Sequence, residues 1–304
     1  MNIVFMGSPE FAIPSLEKLH ATKHTISAVV SNVDKRRGRG KSLSPTPVKA
    51  KALELGLPVI EVEDLKSEEF ANRISELEPD LLVVVAFRVL PVSILKIPKI
   101  GSVNLHASLL PKYRGAAPIH WAIIHGEEKT GCTIFFLDEK VDTGKVVLQR
   151  ETEIGWEETT GDVYERLRLM GSDALVDAIH LIDSGSYQLA AQNDAEATPA
   201  PKLFKEHCHI DFTKSVDEVH NHIRGLSPFP TAFAMLEDEK VNFYKAKPGQ
   251  DANIDTGEIL IKNDQLLVGC ADGTIEVLEL QFPGKRRMSA DEFLAGNSVS
   301  GRFI

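Results

Sequence analysis

The sequence has few cysteines and no long apolar stretch. Its 304 residues include three cysteines that lie far apart and form no C-x-x-C pair: Cys132, Cys208 and Cys270. A sparse, odd set excludes a disulfide framework and favours a reducing compartment, so we expect a cytoplasmic protein. No apolar run approaches the ~20 residues that a membrane-spanning helix needs. Residues 1–7 are uncharged and lead into a predicted strand, which is unlike a secretory signal peptide.

The sequence also lacks an excess of positive charge. Its 34 Lys and Arg stand against 44 Asp and Glu, and a net charge of −10 by itself disfavours nucleic acid as a partner. The location of the positive charge, by contrast, is compatible with a nucleic-acid partner. Residues 32–51 hold seven basic side chains and one acidic one, with flexible glycines at 38 and 40, and Lys285-Arg286-Arg287 is a smaller basic cluster. Such segments can neutralise phosphates, although most charged segments of this kind are solvated loops without a partner.

The first half of the chain alternates strand and helix patterns. We predict strands at 2–6, 27–31, 57–62, 80–86 and 102–106, and helices at 11–19, 47–55 and 67–77. The apolar run from Leu81 to Ala86 is typical of a strand buried on both faces of a parallel sheet. This alternation predicts an α/β domain with a Rossmann-like, doubly wound parallel sheet.

The later part of the chain has a different pattern. Strands at 133–137 and 145–148 are predicted to pair in antiparallel fashion, before a long helix at 159–185. The polar, proline-containing stretch 192–201 indicates a linker. Beyond it, a strand at 209–212, a helix at 216–223 and five short strands between 231 and 281 predict a small OB-like β-barrel. We therefore predict three regions: a catalytic domain at 1–190, a linker at 191–205 and a barrel domain at 206–304.

The strand at 102–106 carries two polar side chains on one face. Because side chains alternate along a strand, Asn104 and His106 point the same way, while Val103 and Leu105 point into the packing. Open parallel sheets bind ligands beyond the carboxyl ends of their strands. The pair is therefore a candidate catalytic amide and imidazole, although two buried polar residues satisfied by the backbone would give the same pattern.

Asp142, in Val-Asp-Thr-Gly before a predicted strand, is a further candidate. Such a sequence is also a common turn in which the aspartate bonds its own backbone. A carboxylate close to His106 would set the tautomer of the imidazole and increase its basicity. With Asn104, the three residues could catalyse acyl transfer, as a base for an amine and a donor to an oxyanion.

The sequence resembles the formyltransferases that use 10-formyltetrahydrofolate. Three motifs carry this resemblance: Asn104-x-His106-x-Ser108-Leu109-Leu110-Pro111, Tyr113-Arg-Gly-Ala-Ala-Pro118 and Asp142-Thr-Gly144. Four further segments make it similar, over nearly the whole chain, to the members that act on methionyl initiator tRNA: Gly7–Ala12, Arg36–Lys41, Arg224–Pro230 and Gly284–Ser289. One departure is Arg88, which stands where many relatives carry glycine.

The resemblance implies roles for particular residues. It implies Asn104, His106 and Asp142 as catalytic residues, Ser108, Leu109, Leu110 and Pro111 as the folate-binding signature, and Phe87, Val89, Leu90 and the loop from Asp138 to Asp142 as the pterin pocket. It also places Phe11 near the methionyl group and Arg39 in a loop that enters the acceptor stem of the tRNA. With the basic neighbours, the expected tRNA contacts are Arg36, Arg37, Arg39, Lys41, Lys285, Arg286 and Arg287.

Other functions remain open from the sequence. A formyltransferase for amino-sugar nucleotides would share the folate motif but does not need the basic clusters. A nucleic-acid-binding protein with an idle sheet domain would not need the catalytic trio. A dehydrogenase is disfavoured because Gly7-Ser-Pro-Glu-Phe-Ala12 lacks G-x-G-x-x-G. We expect no metal, because His207-Cys208-His209 lacks a fourth ligand, and no membrane attachment; a monomer is expected.

Overall fold

A computed structural model describes residues 1–37, 42–250 and 254–304. The strands of these residues are β1 Asn2–Gly7, β2 Thr25–Asn32, β3 Lys35–Arg37, β4 Ser42–Ser44, β5 Val59–Val62, β6 Leu81–Val85, β7 Gly101–His106, β8 Arg114–Gly115, β9 Lys129–Phe136, β10 Val146–Glu153, β11 Pro199–Ala200, β12 Ala232–Leu236, β13 Glu239–Pro248, β14 Ile259–Lys262, β15 Gln265–Gly269, β16 Thr274–Gln281 and β17 Met288–Ser289. Their α-helices are α1 Ile13–His20, α2 Pro47–Glu54, α3 Glu68–Glu76, α4 Val92–Leu95, α5 Pro118–Ile124, α6 Thr160–Ser184, α7 Val216–Gly225 and α8 Ala290–Leu294.

The chain forms two compact units that interleave along the sequence. The first unit comprises Met1–Gly115, Gly131–Thr152 and Glu165–Pro199, and the second comprises Ala116–Thr130, Glu153–Tyr164 and Ala200–Ile304. The division at 191–205 that the sequence suggests stays a prediction.

The first unit is built on a seven-stranded sheet with the order β10-β9-β7-β6-β1-β2-β5. The neighbours from β7 to β5 run parallel, and β9 adds an antiparallel strand beside β7. The chain runs outward from β1 to β5 on one side and then returns to β6 and β7 on the other. This reversal confirms the doubly wound fold, and open sheets of this kind generally bind ligands at the carboxyl ends of their strands.

The core of the first unit explains why its strands were predictable. All five residues of β6 are buried, as expected for a strand covered on both faces. On one face, Val4, Met6 and Val84 pack with Phe70 of α3 and Ile94 of α4. The helix predicted at 11–19 begins as a 3-10 turn at Glu10–Ala12 and continues as α1.

The second unit contains an antiparallel sheet with the order β12-β13-β16-β15-β14. The last residues of the chain close this sheet. Met235 and Ile304 exchange two backbone hydrogen bonds on the β12 side, while Phe303 N donates to Gly257 O and Ile259 N to Gly301 O beside β14. Phe303 also fills the interior, with its ring 5.1 Å from that of Phe243. The predicted small barrel is thus confirmed.

One local prediction differs from the structure. The strand at 209–212 is wrong: the described residues there form only one isolated bridge, between His209 and Phe233. Asp211 accepts hydrogen bonds from the backbone and hydroxyl of Thr213, which stabilises a turn instead of a ladder. Helix α5 was not predicted, because it is a single short element that begins at Pro118.

Candidate active site

Asn104 and His106 lie on β7, between β6 and β9. Their strand neighbours Val103 and Leu105 are buried, as predicted. Asn104 is half-buried, and His106, the last residue of β7, pairs with Thr133 of β9. The sheet therefore presents an amide and an imidazole on the same face of one strand, at its carboxyl end.

The imidazole of His106 is held by a backbone carbonyl. Its Nε2 lies 2.8 Å from the carbonyl oxygen of Tyr113. A carbonyl can only accept a hydrogen bond, so Nε2 carries a proton, and Nδ1 is the nitrogen with a lone pair in the neutral ring. The tautomer is thus set by Tyr113 and not, as expected from the sequence, by Asp142.

Asp142 faces the other ring nitrogen. Its Oδ2 is 3.8 Å from His106 Nδ1, which is too long for a hydrogen bond but within reach of an ion pair once Nδ1 is protonated. The same oxygen accepts a 2.9 Å hydrogen bond from the backbone N–H of Gly115. Asp142 is buried and has a φ of 57°, a left-handed conformation that few non-glycine residues adopt. Aspartate tolerates this backbone conformation better than most non-glycine residues, so the residue type suits the turn.

The loop that carries Asp142 is closed by tight contacts. A Cβ at Gly144 would lie 1.7 Å from the carbonyl oxygen of Phe136, so only glycine fits there. Asp138 Oδ1 accepts hydrogen bonds from Lys140 N at 3.0 Å and from Thr143 Oγ1 at 2.7 Å. The side chain of Asp138 thus shapes the loop, and its role in a pterin pocket stays a prediction.

The turn from Ser108 to Pro111 is fixed from inside. The hydroxyl of Thr133 donates to Ser108 O and accepts from Leu110 N, at 2.7 and 3.1 Å. Gln149 donates to the same hydroxyl and to Leu110 O, while Ser108 Oγ donates to Lys112 O. The Thr133 hydroxyl is fully used, because it has one donor and two acceptor sites. This network makes the segment of the predicted folate signature rigid.

The segment after β6 contains the other residues of the predicted pterin pocket. Val89 is 72% exposed, Phe87 is half-buried and Leu90 is buried. Arg88 turns away from solvent and donates to the carbonyls of Val62 and Glu63, at 2.8 and 2.7 Å. Burial lowers the pKa of this guanidinium. Arg88 therefore fastens the segment to the end of β5.

The comparisons with known proteins decide the family. Residues 1–179 match the family model described as formyl transferase, and residues 202–298 match the formyl transferase C-terminal domain. The chain is 44% identical to the methionyl-tRNA formyltransferase of Chlorobium limicola, and the match covers 99% of this chain and 98% of the relative. It is 42% identical to that of Alkaliphilus oremlandii, covering 98% and 97%.

The chain belongs to the formyl transferase family, among the methionyl-tRNA formyltransferases. Solved structures support the fold. An N-formyltransferase from Helicobacter canadensis, in complex with folinic acid and dTDP-3-aminofucose, matches with a TM-score of 0.68 at 21% identity, covering 90% of this chain and 98% of that one. HypX from Aquifex aeolicus, in complex with tetrahydrofolic acid, matches with a TM-score of 0.65 at 17% identity, covering 95% of this chain and 46% of that one.

The remaining residues that the family resemblance implicated lie in several places. Phe11 is buried in the 3-10 turn after β1. Arg36 and Arg37 are on β3, which pairs with β4 in antiparallel fashion, and Arg39 and Lys41 lie outside the described residues. Lys49 and Lys51 of the basic segment are paired with acids: Lys49 with Asp34 and Glu61, and Lys51 with Glu17 and Glu54. The other basic residues of the segment all lie at positions 35–41 of the sequence.

The cluster Lys285-Arg286-Arg287 lies between β16 and β17. Arg286 forms an ion pair with Glu292 at 3.2 Å. Arg287 pairs with Glu279 and lies over the ring of Tyr244, 4.4 Å from its centroid. Two of the three cations are thus partly neutralised within their own unit, and their contact with tRNA stays a prediction.

A cavity of about 570 Å³ lies within the second unit. Its lining includes Glu153, Trp156 and Arg224 but none of the predicted site residues. Among the residues that the structure describes, no group of three or more His, Cys, Asp or Glu side chains could hold a metal ion. No helix of the same residues is both long and apolar enough to cross a membrane.

Sequence reasoning missed several groups that organise the site. The Tyr113 carbonyl and the Gly115 amide are backbone groups and have no side-chain signature. Thr133 and Gln149 lie on β9 and β10, and only their register beside β7 brings them to the turn. Gln192 lies in the stretch interpreted as a linker, but it bonds to the Asp142 loop.

Proposed function

We propose that this chain transfers the formyl group of 10-formyltetrahydrofolate to the α-amine of methionyl initiator tRNA. The observation that carries the proposal is 40–44% identity to curated methionyl-tRNA formyltransferases over nearly their full length. The arrangement of Asn104, His106 and Asp142 supports it, since an amide donor, a base and a carboxylate are what transfer to an amine requires.

His106 acts in this proposal as the base that receives a proton from the attacking amine. Its Nδ1 is the acceptor, because Nε2 is committed to the Tyr113 carbonyl. The resulting imidazolium is stabilised on one side by that carbonyl and on the other by the Asp142 carboxylate, 3.8 Å away. Proton transfer occurs directly or through one water. When the tetrahedral intermediate collapses, the bond between the formyl carbon and N10 of the folate breaks, that nitrogen takes up the proton, and tetrahydrofolate leaves.

Asn104 acts as the donor to the formyl oxygen. That oxygen gains negative charge when the amine attacks, and a fixed amide N–H stabilises the charge without reorganisation. Protonated His106 lies on the same face of β7 and adds a positive charge beside the neutral amide. The strand therefore fixes both groups relative to each other before the substrates bind.

The folate would lie against the turn from Ser108 to Pro111 and the segment from Phe87 to Leu90. An exposed Val89 beside a half-buried Phe87 offers apolar surface that a flat pterin ring would cover. Ser108 is fully buried and its hydroxyl proton is donated to Lys112 O, so recognition of the ring would rely on backbone groups.

The tRNA would bind through the basic segment around residues 35–41. The total charge of −10 does not oppose this, because phosphate contacts depend on local charge and are screened beyond about 8 Å at physiological salt. We further propose that the protein works as a monomer in the cytoplasm, where charged tRNA and reduced folate are both available.

We expect the triple variant Arg36→Gln, Arg37→Gln, Arg39→Gln to weaken tRNA binding at least tenfold. Its binding should also depend less steeply on salt, by about one unit of log Kd per log salt for each lost phosphate contact. Filter binding over a salt series measures both quantities. Lys66→Gln, which removes one exposed cation elsewhere, is the control. Unchanged binding and slope in the triple variant would refute the role of the segment.

The function itself is tested by the choice of acceptor. The protein is incubated with 10-formyltetrahydrofolate and with methionyl initiator tRNA, uncharged tRNA or an amino-sugar nucleotide, and the formylated product is identified by mass. We expect formylmethionyl-tRNA only. Formylation of the amino-sugar nucleotide, with none of methionyl-tRNA, would replace the proposed acceptor by the rival one.

A further inference from the structure

The position of the Asp142 carboxylate depends on more than its own loop. Asp142 has a left-handed backbone and no hydrogen bond to His106, so other groups must fix the 3.8 Å separation of Oδ2 and Nδ1. One anchor is the Gly115 amide, which donates to Oδ2. A second anchor acts on the backbone of the loop and comes from Gln192, fifty residues away in the sequence.

The side chain of Gln192 bridges the loop and Arg114. Its Nε2 donates to the carbonyls of Asp142 and Gly144, at 3.0 and 2.8 Å. Its Oε1 accepts from Nε and Nη2 of Arg114, at 3.2 and 2.8 Å. The amide is thereby satisfied at both ends, and a flipped amide would place its oxygen against two carbonyls and its N–H groups against a guanidinium. The hydrogen bonds themselves therefore fix its orientation.

Arg114 lies between the two backbone groups that hold His106 and Asp142. It is flanked by Tyr113, whose carbonyl holds His106, and by Gly115, whose amide holds Asp142. Its backbone N–H donates to Thr198 O at 2.9 Å, and its guanidinium pairs with Asp194 at 2.7 Å. Residues 192–198 thus hold the arginine, and the arginine holds the glutamine that fixes the loop.

We propose that Gln192 is a positioning residue that sets the Asp142 carboxylate against His106 during formyl transfer. Its hydrogen bonds go to the backbone carbonyls of Asp142 and Gly144 and to Arg114, and not to a predicted catalytic side chain, so it acts through the loop backbone. The proposal rests on the proposed function, because it assigns a task within that reaction.

Gln192→Met tests the proposal, since methionine keeps the length of the side chain and makes neither pair of hydrogen bonds. We expect kcat for formylation to fall at least tenfold, with KM for both substrates changed less than threefold. Gln192→Glu keeps the acceptor toward Arg114 but has no donor for the two carbonyls. We expect its kcat to fall by as much as that of Gln192→Met. Gln188→Met and Gln188→Glu, the same changes at a nearby exposed glutamine, should leave kcat unchanged.

The double variant with Asp142→Asn separates positioning from a general loss of structure. If Gln192 acts through Asp142, Gln192→Met should cost little more in kcat once Asp142→Asn is present. A loss that adds in full, or a Gln192→Met enzyme with wild-type kcat, would overturn the proposal.

A crystal structure of Gln192→Met tests the proposal without an activity measurement. We expect the separation of His106 Nδ1 and Asp142 Oδ2 to differ from that in the wild-type crystal by more than about 0.5 Å, the tolerance to which catalytic groups must be held. An unchanged separation would overturn the proposal. Failure of the proposed function is seen separately, in a wild-type protein that does not formylate methionyl-tRNA.

Discussion

His106 of the first unit and His220 of the second are both buried, at 7% and 3% exposure. Their surroundings differ. His106 has a carbonyl at Nε2 and a carboxylate facing Nδ1, so each ring nitrogen has a partner that suits a proton. His220 is stacked on Trp156, with ring centroids 4.6 Å apart. Burial and the charge of Arg224 lower its pKa to about 4, so it is neutral at physiological pH.

The comparison shows that two histidines buried to a similar degree can have different surroundings, a stacked ring at one and oxygen atoms at the other. Removing water from His220 leaves a flat ring that packs and does not titrate near neutrality. His106 is buried to a similar degree, but two loops place oxygen atoms of Tyr113 and Asp142 on the two sides of its ring. The chemistry thus depends on the backbone and loop groups around the ring, which the following substitutions are designed to separate.

The largest effect is expected from His106→Gln. Loss of the general base should lower kcat roughly 10²–10⁴-fold, while the melting temperature changes little, because glutamine can still donate to the Tyr113 carbonyl. The matched change His220→Gln should leave kcat within about twofold. Steady-state formylation and thermal unfolding of both variants measure this. Equal kcat values in the two variants would remove the distinction between the two histidines.

Asn104→Ala should have the next largest effect. Loss of one oxyanion donor costs on the order of 10²–10³ in kcat in other acyl-transfer sites. We expect only a small change in the free energy of unfolding, because Asn104 is half-buried near the carboxyl end of β7. Single-turnover rates with both substrates saturating give the chemical step, and near-normal turnover would exclude the assigned role.

His220→Phe should alter stability in acid and not catalysis. Between pH about 6.5 and about 4, the unfolded chain binds a proton at His220 that the folded chain does not bind, so the free energy of unfolding falls as pH falls. The full difference is about 3 kcal/mol. Phenylalanine keeps a ring against Trp156 and cannot titrate.

The measurement for His220→Phe is urea unfolding at pH 7 and pH 4.5. The loss of stability between these pH values should be smaller than in the wild type by about 2–3 kcal/mol. His20→Gln, at an exposed histidine, should leave the wild-type pH dependence unchanged. The same pH dependence in His220→Phe as in the wild type would contradict a neutral, buried His220.

The parts of the site that the sequence predicted are those with short-range patterns. Asn104 and His106 were found because alternation on a strand needs only neighbouring residues. The apolar β6 and the doubly wound sheet followed from similar local patterns. The strand predicted at 209–212 failed where a single side chain, Asp211, stabilises a turn.

The parts that escaped prediction depend on distant or backbone groups. Tyr113 and Gly115 act through a carbonyl and an amide, which every residue has. Gln192 reaches the Asp142 loop across fifty residues, from a stretch whose composition is typical of a linker. The amino-acid pattern does not encode such contacts locally, because they follow from how the assembled sheet brings loops together.

The most direct test of the proposed function is the ratio of kcat/KM for methionyl initiator tRNA to that for an amino-sugar nucleotide, measured with 10-formyltetrahydrofolate at a fixed salt concentration. The proposed function predicts a ratio of at least about 10⁴, since the acceptor site would be built to bind a tRNA. A ratio below one would contradict it, and would leave the catalytic trio acting on a different amine.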